Sequence, residues 1–372
     1  MIVINGAGIA GLTLANALLQ KGIPFKIIER SISLEAMGAG IILQNNGLAI
    51  LDKLGLVDEI KSDDIRSLNL GYKNHITQAR ADKIGLKCKA VHRAELQTIL
   101  LKNIPKEMII LNAEIESIQN NDNDNDNGLV ITLNNGEHLK ADYLVNGAGI
   151  NNELHAKAEI HDTGLMCWRA VVTLKSPLQQ FGEYWFGKQR IGMVALSDSK
   201  AYVFHVVQLN SDEDINEYNQ SSRQAFIKTK SSNSNDFHQL NFENTQWIKH
   251  PLQDRKINWG HNRIIAIGDA AHAMTPNLGQ GAVLAMEDAM ELAYIFSKQT
   301  NNPVAELIKQ RHSRIKSVHK LSRLFGQIAH NEYFVFKLLK IIMVKFMPNE
   351  MLMKSQVKWM NQFVNRLEVI SK

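Results

Sequence analysis

Cysteine is nearly absent: the chain has two in 372 residues, Cys88 and Cys167, in no metal-ligand or redox spacing. A disulfide framework and a cysteine-based zinc site are excluded on that count, and a reducing, cytoplasmic setting fits best. The thirteen histidines include no HExxH and no other ligand pair at helical spacing, so no metal site is expected. No GxSxG nucleophile elbow and no Walker A loop occurs, which argues against α/β-hydrolase and P-loop chemistry. There is no nucleic-acid motif and no basic block long enough to act as an arm. The net charge of +5 is mild and suits an anionic cofactor better than a polyanion. No basic region precedes the first apolar residues, so no signal peptide is expected. One apolar stretch, Tyr333 to Met347, is interrupted by Lys337, Lys340 and Lys345, and it is too short and too charged to span a bilayer. At about 100° per residue the three lysines share one face. The segment is expected to pack on the body of the protein or on a second subunit, with contact to a membrane surface as the other reading.

What is present is an ordinary globular composition, 45% hydrophobic and 21% charged, over a length that accommodates two domains. The strand-like run Ile2-Val3-Ile4 leads into Gly6-Ala7-Gly8-Ile9-Ala10-Gly11, which opens a helix to about Gly22. A second strand, Phe25 to Ile28, ends in Glu29, eighteen positions beyond Gly11. A lone GxGxxG is weak evidence, but strand, turn, helix and acid in this order form a dinucleotide-binding βαβ unit. Gly6 permits the turn, Gly8 allows a pyrophosphate to approach, and Gly11 lets helix and strand pack closely, while Glu29 would take ribose hydroxyls. Which dinucleotide binds is open at this point.

The second organising stretch is Arg263 to Met290. Ile264 to Ile267 is short and apolar enough to be a buried parallel strand. Asp269 stands at its end, Pro276, Gly279 and Gly281 shape the loop, and a helix starts near Ala282. Ligands of open α/β sheets bind outside the carboxyl ends of the strands. Asp269 could therefore accept from sugar or polyol hydroxyls, and the glycine N–H groups with the helix dipole would favour an anion. An ordinary N-cap aspartate above a tight loop fits the local pattern as well.

The wording of this stretch, GDAAHAMTPNLGQGAVLAMEDA, resembles the second FAD-binding motif of the flavin-dependent aromatic-ring hydroxylases. These are single-component monooxygenases of the 4-hydroxybenzoate hydroxylase fold. The resemblance covers Ile2 to about Phe346 and is closest in outline to the urate and salicylate hydroxylase-like branch. It implies that Asp269 binds the ribityl chain and that Pro276, Gly279, Gln280 and Gly281 lie along the isoalloxazine ring. His272 matches the motif and is read as a packed histidine. Arg93, at the head of a helix in Val91-His92-Arg93-Ala94-Glu95-Leu96, is implied as a further FAD contact. Gly38 to Leu56 resembles the next family segment, with Asn46 placed to cap a helix from Gly47 to Leu54. Arg190 and Tyr202 fall where the urate hydroxylases carry an Arg and a Tyr near the substrate. One motif is altered: Asn146-Gly147-Ala148-Gly149 has Ala148 where the family places an aspartate credited with FAD and NAD(P)H contacts.

The implied fold is α/β: a Rossmann-like FAD-binding domain (1–74, 90–162 and 258–330), an inserted antiparallel substrate-binding sheet (75–89 and 163–257) and a C-terminal helical segment (331–372). Met166 to Leu174, Gln189 to Leu196 and Ala201 to Gln208 are the expected sheet strands. Leu129 to Leu133 and Leu139 to Val145 are expected strands, joined upstream to an exposed polar tip at Asn120 to Gly128. Ser211 to Lys230 is expected to be helical and Gln310 to Phe325 a basic helix. The implied chemistry is hydroxylation of a small aromatic or heteroaromatic substrate by a flavin hydroperoxide, with noncovalent FAD, O₂, and NADPH or NADH as transient donor, in a monomer or homodimer. Only one complete GxGxxG is present, so no separate Rossmann domain for the nicotinamide is expected. Ala148 keeps open a flavin oxidase or dehydrogenase that takes electrons from its substrate, and a non-catalytic flavin-binding protein is the reading of another class.

Overall fold

A computed structural model describes residues 1–34, 40–121, 128–178, 180–208, 235–346 and 349–371. Gly38, the polar tip at 122–127 and the expected helix at 211–230 lie outside the described residues.

Six short strands form the first sheet, in the order Gly260–His261, Ile264–Ala266, Tyr143–Asn146, Ile2–Asn5, Phe25–Ile28 and Ile109–Ile110. All neighbours are parallel except the Gly260–His261 edge pair. Their near-continuous apolar sequences reflect cover on both faces. On one face lie α1 (Ile9–Gln20), α2 (Asn45–Lys53), α3 (Arg93–Leu101) and α4 (Gly281–Ser297). α1 is buried from Ile9 to Leu18, because α4 packs against it on the side away from the sheet. On the other face, Val3, Ile28 and Leu144 meet a three-stranded antiparallel sheet of Ile115–Asn121, Gly128–Leu133 and His138–Ala141.

The expected strand from Leu139 to Val145 is two strands in two sheets, divided at Asp142. The reason is local: the Asp142 carboxylate takes the Met1 ammonium, its N–H bonds to the Met1 carbonyl at 2.9 Å, and its own carbonyl accepts from Arg263 at 3.0 Å. Asn46 is likewise no cap. The helix begins at Asn45, two residues before the expected start, and Asn46 is wholly buried inside it.

The second sheet has eight strands. Its path runs Leu240–Asn241, Ile160–Leu174, Lys200–Gln208, Gln189–Ser197, Gln180–Phe186, Ser67–Tyr72 and His75–Arg80, with Ile248–Arg255 also paired to Ile160–Leu174. Two expectations need correction. The sheet is not purely antiparallel, since Gln180–Phe186 runs parallel to Ser67–Tyr72. Ser67–Tyr72, assigned from sequence to the FAD-binding portion, sits in this sheet, as does the start of the long strand at Ile160. The 74/75 boundary separates two paired strands of this sheet and the 162/163 boundary cuts a third, because pairing partners more than 90 residues away leave no local mark.

The remainder is helical: α5 (Pro303–His330), α6 (Phe334–Ile341), a π-helical turn at Ile342–Phe346 and α7 (Asn349–Ile370). α5 is longer than its basic core predicts. Asn302 caps it by accepting from the Ala305 N–H at 3.0 Å, and Pro303 occupies the first turn where no N–H is needed. The lysines of the next segment do not share one face as expected. Lys340 is fully buried with its Nζ 2.8 Å from Glu332, and the π turn places Lys345 in solvent. Among the described residues no helix is long and apolar enough to cross a membrane.

Candidate active site

The carboxyl ends of the parallel strands and one face of the eight-stranded sheet enclose a single cavity of about 1330 Å³. That exceeds the roughly 300–1,000 Å³ of a typical small-ligand site and leaves room for two ligands side by side.

The first wall is mostly backbone. Gly6 turns the chain at φ 105°, out of the end of the first strand. Gly11 is pressed against it: a Cβ there would stand 2.0 Å from the Gly6 carbonyl oxygen. A Cβ on Gly8 would meet nothing within 4 Å. The Gly8 position caps α1 without any side-chain bond, so the first N–H groups of a twelve-residue helix face the cavity. Glu29 ends the second strand and is steadied by the N–H groups of Ala7 at 2.8 Å and Ser31 at 2.9 Å. A carboxylate has further lone pairs for ribose hydroxyls. Arg93, at the first position of α3, reaches the same cavity.

Across from it, Asp269 opens a single helical turn, Asp269–His272, and its exposed side chain lines the cavity. Pro276 starts a short 3-10 turn that ends at Gly279, in the left-handed region at φ 64° with nothing near its Cβ position. α4 then begins at Gly281, again without a side-chain cap. The loop is pinned from behind. Asp288 is fully buried, takes His272 at 2.5 Å and Arg311 at 2.8 Å, and accepts from the Gly268 N–H at 3.1 Å. Burial would raise its pKa, yet His272 and Arg311 hold it below the usual range. His272 is thus a packed histidine, as the motif reading held. Glu287 binds Arg311 at 2.7 Å, Arg314 at 2.6 Å and Asn46 at 2.6 Å. Gln280 departs from its implied place: its buried amide turns away to Gln44 and Asn46, so Pro276, Gly279 and Gly281 line the cavity and Gln280 does not.

The cradle fits FAD. Two uncapped helix N-termini, two glycines whose Cβ positions are open and two acids at strand ends face one space, in the arrangement a dinucleotide with a polyol chain requires.

The second wall is built of side chains. Tyr202 packs its ring on Gly40, where a Cβ would approach to 2.7 Å, and Phe204 lies over Gly192 in the same way. Burial pushes the Tyr202 hydroxyl well above its ordinary pKa, so it is a protonated donor. Arg190 also lines the cavity but is committed: its Nη1 donates to buried Glu183 at 3.1 Å and its Nη2 to Asn277 Oδ1. Its buried Nε has no partner among the described residues. Glu183 also accepts from Trp185 at 2.8 Å, and Asn277 is held by Thr275 at 2.9 Å and Ser322 at 2.8 Å.

Sequence reasoning missed Glu183, Asn277 and Arg169. Arg169 and Cys167 alternate along one strand and both line the cavity, a period-two signal that was available. Burial raises both thiols, Cys88 to about 12, so neither is a nucleophile near neutral pH.

The altered turn is held by bonds from Asn146 and Arg255. Asn146 is fully buried; its Oδ1 accepts from the Ala148 N–H at 3.3 Å and its Nδ2 donates to Asn152 at 2.8 Å. Arg255, buried at the end of a sheet strand, donates to the carbonyls of Ile150 at 2.9 Å and Asn152 at 2.8 Å. Burial, with Arg255 beside it, lowers His155 to about 4, so it sits neutral in this network.

A family model described as "FAD binding domain" matches residues 1–321. Over 377 residues the chain is 27% identical to 2-heptyl-3-hydroxy-4(1H)-quinolone synthase of Pseudomonas aeruginosa, covering 94% of each. It is also 27% identical to the aurachin C monooxygenase/isomerase of Stigmatella aurantiaca, over 82% of each. Among solved structures, HpxO of Klebsiella pneumoniae complexed with FAD and uric acid superposes with a TM-score of 0.76 at 20% identity, covering 99% of this chain and 96% of that one.

Proposed function

The chain belongs to the FAD-binding-domain family, and from that premise we propose that it is an FAD-dependent monooxygenase hydroxylating a small aromatic or heteroaromatic ring at the expense of NADH or NADPH. One observation carries the reading: the FAD-type turns and the side-chain wall with Arg190 and Tyr202 line the same cavity. Bound FAD would supply the electron transfer and oxygen activation. The chain's own residues bind, orient and exclude water. The α1 N-terminus with Gly6 and Gly8 takes the pyrophosphate, Glu29 the ribose, Asp269 the ribityl chain, and Arg93 an anionic oxygen. The backbone from Pro276 to Gly281 runs along the ring system. On the facing wall the protonated Tyr202 hydroxyl donates to a ring oxygen or nitrogen, and Arg190 holds its place through Glu183 and Asn277.

Quinolones, after the name of one relative, and uric acid-like rings, after the molecule bound in a neighbouring structure, are the classes to try first. The Asn146 and Arg255 bonds hold the Ala148 turn without the family aspartate, so the loss of that residue does not by itself argue for an oxidase. The two buried thiols suit a reducing cytoplasmic setting.

Purified protein should be yellow and release FAD in acid. NAD(P)H consumption, screened over phenols, purines and quinolones, should rise with one ring class and yield a product heavier by one oxygen. Release of FMN, or of no flavin, would sink the proposal. A bound FAD that the substrate itself reduces without NAD(P)H would convert it to an oxidase or dehydrogenase.

A further inference from the structure

α6 is built inside out. An amphipathic surface helix buries its apolar face and shows its charges to water. Here Lys340 is fully buried against Glu332 and the Tyr72 ring, while Phe334 is 80% exposed, Tyr333 78% and Val335 63%. Leu338, Leu339, Ile342 and Phe346 continue the exposed face through the π turn, and Ile76 on the adjoining strand extends it. Scattered exposed apolar residues mean nothing, but a contiguous ridge marks an interaction surface. Burying a lysine to put phenylalanine outside costs stability in water, so the outward face answers to an apolar surrounding.

The charges around the ridge identify that surrounding. Lys345 is exposed beside Phe346, Lys73 lies over the Tyr72 ring, and Lys337 lies at the inner edge. The Glu332 carboxylate at the foot of the ridge is already bound to Lys337 and Lys340, and Glu350 stands in the first turn of α7. An apolar ridge with a basic rim matches the acyl boundary of an anionic bilayer, with side chains among the lipid tails and lysines at the headgroups. A second copy of the chain fits less well, because a symmetric contact would set the two lysine rims against each other. The inner side of the same cap joins the cavity: Phe325, Ile328 and Met343 pack with Val344 under α6 and also line the cavity.

We propose that α6 and the π turn dock this protein on the surface of an anionic lipid bilayer, with the cavity beside the membrane. The inference does not depend on the flavin reading. The purified full-length protein, with whatever flavin it carries, is sedimented with phosphatidylcholine vesicles, with and without phosphatidylglycerol. Binding is expected with the anionic vesicles and weaker binding with the neutral ones. Phe334→Ser with Leu338→Ser should weaken it by more than about tenfold, with melting temperature unchanged. Lys345→Glu should weaken it by at least about fivefold, the factor for one lysine at an anionic surface. Because Cys88 and Cys167 are both buried, a Phe334→Cys variant can carry an environment-sensitive fluorophore that should shift to the blue on the same vesicles. That reading stands even if the double variant fails to fold. Absence of both sedimentation and spectral shift would overturn the proposal. So would a reversible dimer that the double serine variant dissociates, since the face would then belong to a second copy.

Discussion

On one wall of the cavity, Gly6, Gly8, Gly279 and Gly281 leave backbone N–H groups at two helix ends facing open space. On the other, Arg190, Glu183, Tyr202 and Cys167 project from four strands, and Arg190 already pairs with Glu183 and Asn277. The first wall works by what it omits. Its glycines face the cavity through backbone and need chiefly to be small, so the motif can be short and local. The second wall works by mutual commitment, and its chemistry depends on partners brought together by topology. A substitution on the first wall should therefore strike the ligand before the fold, whereas one on the second should strike both.

The largest expected effect breaks the committed wall. Arg190→Ala leaves the Glu183 carboxylate buried without its cation, which should cost about 3–5 kcal/mol of stability in denaturant titration. Arg190→Met combined with Glu183→Gln should cost far less, because no charge is stranded. Equal losses for the two would mean that Arg190 acts alone and that the wall is less coupled than its geometry indicates.

A pair of glycines sharpens the contrast at the first wall, since Gly8 faces the cavity and Gly11 packs behind it. Gly11→Ala forces a Cβ to 2.0 Å from a backbone carbonyl and should destabilise the protein by about 1–3 kcal/mol. Gly8→Ala meets no protein atom, so melting should hardly change while FAD affinity falls by about 1–3 kcal/mol as amide–phosphate bonds lengthen. Titration of the flavin-free variants with FAD, beside their melting curves, separates the two. An unaltered affinity in Gly8→Ala would remove that turn from the cofactor site.

The smallest effect concerns the altered turn, where the two walls meet. His155 has a folded pKa of about 4, below its ordinary 6.5. As pH falls, the unfolded chain takes up this proton first, so stability present at neutral pH is lost between about 6.5 and 4. Melting temperature should decline through that window, and His155→Gln should flatten part of the slope. His330, lowered by burial to about 3, contributes with the same sign and leaves a residue of slope behind. A variant with the full wild-type slope would place the proton-linked group elsewhere.

The Rossmann-like unit was legible because its signals are local. Gly6, Gly8, Gly11 and Glu29 lie within one βαβ unit, where only glycine tolerates the turn and the close packing. Asp269 was legible by its position at the end of an apolar strand, and the wording of its loop carried the family. Tertiary structure alone decided the rest. Gln280 has the right sequence position, but the buried amides of Gln44 and Asn46, more than 200 residues away, draw its side chain off the cavity. Ser67–Tyr72 falls within the span assigned to the FAD-binding portion, and its sheet was settled by pairing with Gln180–Phe186. Arg255 holds a loop about a hundred residues before it through two carbonyl contacts, a pairing that no local pattern announces. Lys340, placed on one face with Lys337 and Lys345 by its helical angle, is buried because Glu332 and Tyr72 meet it there. Backbone conformation and hydrophobic period are properties of neighbouring residues, so a sequence states them openly; the pairing of a charge or a strand edge depends on what the fold brings near, and no local pattern carries it.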